Sequence, residues 1–134
     1  MINQNLKEEI SNVDWSGFNG PSMYDAKVVP SALYSLMELD DSSKAEEIGN
    51  KLIYALGNNH AGVYYPAVLE ALDYIIAIAN SADNKACKVC ALAVLNDFYY
   101  FEPDLEGYDN CTAEELKKVF LEKLLPYSDE SIEF

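Results

Sequence analysis

Ala45, Ile48, Leu52, Ile53 and Leu56 recur at i, i+3, i+7, i+8 and i+11, one apolar stripe along a helix. Ser43 and Glu46 form a capping box ahead of it, and Gly57 with Asn58 ends it. The same pattern predicts a short helix over 3–12, with Leu6 and Ile10 spaced by four, and another from Pro30, with Leu33, Leu36 and Met37 on one face. Pro30 suits a first helical turn, where its missing N–H costs nothing. A last amphipathic helix carries Leu116, Val119, Phe120 and Leu124 behind a second capping box, Thr112 and Glu115. Two segments are apolar nearly all round: the one after Gly62, through Val63, Tyr64, Ala67, Val68, Ala71, Leu72, Ile75 and Ile76, and the one over 84–101. Helices without a polar face are buried, so these two are expected at the centre. No segment alternates with period two, and the connections are short. The pattern therefore predicts an all-α fold with antiparallel neighbours.

A weak internal repeat refines this expectation. "PSALYSL" (30–36) and "PAVLEAL" (66–72) match at Pro30/Pro66, Leu33/Leu69 and Leu36/Leu72, an offset of 36 residues, and the following helices match at Ala45/Ala86 and Ile48/Val89, an offset of 41. Helix pairs repeating at this period are the mark of an α-solenoid. At 134 residues the chain is read as one domain, 1–134, able to bury about two-thirds of its unfolded surface. No apolar run reaches the ~18 residues of a membrane span, and "MINQNLKEEISNVDW" does not read as a secretory signal, so a cytoplasmic location is expected.

Charge changes the picture most. Twenty-three acids face nine bases, a net charge of −14, and every one of the bases is lysine. A phosphate-gripping surface needs Lys/Arg clusters and the bidentate arginine fork, so direct nucleic-acid binding is disfavoured, and the charge favours a basic protein partner or simple solubility. The charge is concentrated at the ends: −5 over residues 1–41, −2 over 42–101 and −7 over 102–134.

Candidate chemistry is sparse. Cys87 and Cys90 form a C-x-x-C, but inside a predicted helix and with no strand before it, unlike a redox site. With Cys111 and His60 as the remaining ligands there is no zinc-finger spacing, so packed core thiols and neither disulfide nor metal are expected. Glu70 and Asp73 lie three apart on one helical face and read as a solvated edge. The single histidine, His60, sits in "GNNHAGVYYPAV" and is expected to pack or hydrogen-bond at an inter-helix joint. No nucleophile elbow, phosphate loop or H-E-x-x-H is present, so no enzyme, no catalytic residue and no cofactor are assigned. Partner contact is assigned instead to residues that combine acid with aromatic surface: Glu102, Asp104, Glu106, Tyr108 and Asp109 of the acidic loop, Trp15, Phe18 and Tyr24 of the Gly-rich loop 14–28, and the Tyr99–Tyr100 pair, with a merely solvated acidic loop and core packing of each single aromatic as the alternative readings. The acidic loop lacks EF-hand spacing for Ca²⁺.

"DAKVVPSALYSLMELDD" (25–41) followed by "ALGNNHAGVYYPAVLEALDYIIAIA" (55–79) resembles the small HEAT-like immunity proteins of bacterial polymorphic toxin systems, contact-dependent growth inhibition among them. The matching positions are His60, Gly62, Val63, Tyr64 or Tyr65, Pro66 and Ala67, within a likeness covering 25–101. The resemblance implies a short right-handed stack of antiparallel helix pairs, a HEAT-like α-solenoid of about six helices. It also implies a cytoplasmic antidote, monomeric when free, that binds a toxin domain and blocks its active site or substrate approach. A basic nuclease domain would complement the −14 charge. A helical scaffold or adaptor, and an acidic DNA-mimic inhibitor, are the alternative readings.

Overall fold

The computed structural model describes residues 4–18, 24–58, 60–105 and 112–127. The chain is mostly helical with a small sheet. Its helices are α1 (Gln4–Asn12), α2 (Val28–Met37), α3 (Ala45–Leu56), α4 (Val68–Ser81), α5 (Lys85–Tyr99) and α6 (Ala113–Leu124). Three two-residue strands, β1 (Gly57–Asn58), β2 (Val63–Tyr64) and β3 (Glu102–Pro103), form a sheet of that order, antiparallel between β1 and β2 and parallel between β2 and β3. Two residues are too few to display a period-two alternation, which is why the apolar pattern contains no trace of them.

The starts of α5 and α6 are set by local side-chain chemistry. Asn84 caps α5 by accepting from the Ala86 N–H at 2.8 Å, and Thr112 caps α6 by accepting from the Glu115 N–H at 3.1 Å, as its box predicts. At α3 the expected Ser43/Glu46 box is replaced. Residues Ser42–Lys44 form a 3-10 turn, and Asp41 caps it by accepting from the Ser43 N–H at 3.0 Å and the Ser43 hydroxyl at 2.8 Å. Those bonds hold the Asp41 carboxyl below its ordinary range. Helix α4 begins five residues later than Val63, because Val63 and Tyr64 pair in the sheet and the backbone turns at Pro66 before coiling.

Helices α2 and α3 pack together, as do α4 and α5, and α3 lies beside α5. The last pair runs parallel: the Cys90 thiol donates to the Ala45 carbonyl near their starts, while Ile53 and Asp97 line one cleft near their ends. The core is one cluster to which every helix contributes, from Ile10 of α1 to Leu124 of α6. Helix α5 is central as expected: Cys87, Cys90, Ala91, Val94, Leu95 and Phe98 are all buried.

Candidate functional site

The joint around His60 is a β1–β2 hairpin. The Asn58 side chain accepts from the Ala61 N–H at 3.2 Å, and the Gly62 N–H closes onto the Asn58 carbonyl at 2.9 Å. Gly62 turns with φ of 67°, a left-handed conformation that favours glycine. Gly57 is required for a different reason: a Cβ there would strike the Val63 carbonyl and come within 2.9 Å of the Tyr64 Cα. The backbones of the hairpin are simply too close for a side chain.

Strand β3 then brings the start of the acidic loop to this joint. The Glu102 N–H donates to the Gly62 carbonyl at 2.9 Å and the Asp104 N–H to the Tyr64 carbonyl at 2.8 Å. Two stretches about forty residues apart in sequence, each distinctive in composition, thus become one end of the molecule. Sequence reasoning missed this pairing; its only signal was the β-favouring run Val63–Tyr65 beside glycine.

On this end His60 is exposed, its ring 6.1 Å from that of Tyr54, which is itself 45% exposed. His60 thus meets Tyr54 on the outer side of the joint, while backbone bonds and the Asn58 side chain hold the turn itself. Tyr100 is 59% exposed and meets the half-buried Tyr99 edge-on at 5.0 Å. Glu102 is exposed and pairs with Lys117 of α6, and Asp104 is half-buried beside Tyr65, whose hydroxyl pKa is raised by burial and then by Asp104. Glu106, Tyr108, Asp109 and Cys111 lie outside the described residues.

The Trp15–Phe18–Tyr24 group is not a display surface. Trp15 is 5% exposed, donates its indole N–H to the Ile10 carbonyl at 3.1 Å and packs against Phe18 and Tyr74. Tyr24 donates its hydroxyl to the Trp15 carbonyl at 2.6 Å, and its pKa is pushed up to about 12 by burial, with Asp25 and Asp14 adding to the rise. Trp15 is thus withdrawn from the contact set; Phe18 and Tyr24 are half-buried and packed against the core. Aromatics in a loop without period look exposed in sequence, yet Trp15, Phe18 and Tyr24 all pack against the core.

The remaining candidates are structural. The Cys87 thiol donates to the Leu36 carbonyl at 3.1 Å, and burial pushes both Cys87 and Cys90 up to about 11, so they are neutral core thiols. Glu70 accepts from Tyr74 and Asp73 pairs with Lys123 of α6 at 2.7 Å, so the two carboxylates serve separate partners. Among the described residues no group of three or more His, Cys, Asp or Glu could hold a metal ion. No helix among the described residues is long and apolar enough to cross a membrane. One buried polar atom stands out that the pattern did not flag. Tyr64 is fully buried, stacked on Phe120 with ring centroids 4.0 Å apart, and its hydroxyl has no hydrogen-bond partner among the described residues. No protein-family model, curated protein or solved structure matches the chain.

Proposed function

We propose that this protein is an immunity protein of a bacterial toxin system, acting in the cytoplasm by binding a basic toxin domain, a nuclease by preference, and covering its active site or substrate path. The observation that carries the reading is the end of the molecule where the sheet joins the His60 turn to the acidic loop. Exposed Tyr54 and Tyr100 there stand with Glu102 on a chain of net charge −14. Tyrosine supplies area and a hydrogen-bonding tip, while the surrounding negative field accelerates encounter with a cation-rich partner. The scaffold would be the HEAT-like stack, a reading supported by two helix hairpins lying side by side with α3 and α5 parallel.

Co-expression with the C-terminal domain encoded directly upstream tests this. The chain is expected to abolish that domain's toxicity and to co-purify with it. Glu102, Asp104, Glu106 and Asp109 changed together to Gln or Asn should slow association by about tenfold at low salt and by much less at high salt. An upstream domain that is harmless, or one whose toxicity is unchanged by this chain, overturns the reading.

A further inference from the structure

Helices α3 and α5 do not close against each other along their outer side. Ala45 and Gly49 from α3 and Val89 and Ala93 from α5 present small side chains, leaving a cleft of about 230 Å³ over a floor sealed by Cys90 and Val94. At Ala45 and Val89 it continues into a second hollow of about 460 Å³ that reaches Asp40, Ser42 and Lys85. The result is a trough along residues 45–53 of α3, ~13 Å at 1.5 Å per residue. Its floor is apolar and its rims are acidic, with Asp40, Glu46 and Asp97 against the lone Lys85. At helical spacing the rims run on to the two exposed tyrosines, Glu46–Asn50–Tyr54 on one side and Asp97–Tyr100 on the other.

We propose that this trough is the docking groove for a basic amphipathic helix of the partner. A helix is the natural occupant because a channel between two parallel helices lined by alanine and glycine lets a third approach closely, with its apolar i, i+3, i+4, i+7 stripe on the floor. Lysines or arginines flanking that stripe would meet the acidic rims, and the tyrosines would close over its end. A second copy of this chain would bring a like charge of −14 to the same rims. The chain's own segments outside the described residues contain no lysine or arginine, so none offers the complementary charge. The identity of the partner rests on the immunity reading, while the chemistry of the groove does not.

The probe is a helical peptide of about 14 residues, ~21 Å long, with leucines on one stripe and lysines beside it, and a twin carrying glutamates for the lysines. Titrated into the isotope-labelled full chain, the lysine peptide is expected to shift amides over 45–53 and 86–97 and to bind about tenfold or more tighter than its twin. Ala93→Arg should weaken it by about tenfold, since the new side chain fills the trough and reverses its charge, whereas Val119→Arg on the exposed face of α6 should not. Glu46→Gln, on an exposed rim position, should weaken binding about threefold at low salt even if Ala93→Arg lowers the melting temperature. Equal binding of the twins, shifts elsewhere, or full affinity in Ala93→Arg and Glu46→Gln would overturn the groove. Protection from the toxin that survives Ala93→Arg also removes the groove and leaves the immunity reading standing. Seating of the lysine peptide with no protection by the chain does the reverse.

Discussion

Single residues at the joint carry obligations that a pattern of apolar and polar positions does not express. Gly57 is extended, a conformation any residue adopts, so nothing in its backbone asks for glycine; the opposing strand does. Gly57→Ala should therefore open the hairpin and cost about 1–3 kcal/mol or more, measured by denaturant unfolding. Gly62→Ala meets open space and pays only for its left-handed φ, about 1–2 kcal/mol. A smaller loss at Gly57 than at Gly62 would contradict the close approach. Tyr64 makes the opposite case. Its hydroxyl is buried without a partner among the described residues, so removing it should relieve a desolvation penalty. Tyr64→Phe is expected to raise stability by about 1 kcal/mol or more, where a typical hydrogen-bonded tyrosine would lose about as much. A loss in Tyr64→Phe would mean that the hydroxyl is bonded after all. His60 is conspicuous because it is unique; its exposed position beside Tyr54 makes it part of a surface and leaves the turn to backbone bonds and the Asn58 side chain.

At the level of elements, the stripes of α1, α2, α3 and α6 were readable because amphipathic helices write their burial into sequence at a period of 3.6 residues. The Thr112 cap was readable for the same local reason. The start of α3 was not, because "DDSS" offers several side chains able to accept from a nearby N–H, and only the backbone path selects among them. Asp41→Ala should consequently lower the melting temperature more than Ser43→Ala; the reverse order would restore the Ser43 box. The Asp41 carboxyl is held below its ordinary value of 3.8, so its folded-state contribution is present above that pH and is lost as pH falls through the lowered value. The gap between wild type and Asp41→Ala should persist at neutral pH and fade below pH 3.8. Strand pairing lay beyond local pattern altogether. Two-residue strands carry no period, and β2 meets β3 only because α4 and α5 form a hairpin that returns the chain.

At the scale of the whole molecule, burial raises several thiol and phenol groups above their ordinary range. The thiols of Cys87 and Cys90 are raised from 9.0 to about 11, and the Tyr24 hydroxyl from 10.0 to about 12, with Tyr64, Tyr65 and Tyr74 raised as well. In each the folded value exceeds the unfolded one, so the unfolded chain sheds protons first as pH rises. The resulting stability is complete below about pH 9 and is lost between pH 9 and pH 12. Unfolding midpoints taken across that window should fall steadily, and the share of tyrosinate absorbance that comes from the buried Tyr24, Tyr64, Tyr65 and Tyr74 should rise in step with unfolding; a flat profile would refute the burial of these groups.

Composition and periodicity by themselves determined that this is a mostly helical, strongly acidic chain with a central apolar α5 and with Cys87 and Cys90 in the core. Those properties depend on each residue's own preference for water and on neighbours within one or two helical turns. Tertiary structure alone decided which aromatics are core and which exposed, Trp15 against Tyr100, that the acidic loop begins beside the His60 turn, and that α3 and α5 leave a trough between them. Each of these depends on what stands opposite a residue after folding, across about forty residues of chain in the case of the last two. A one-dimensional pattern has no coordinate for that distance.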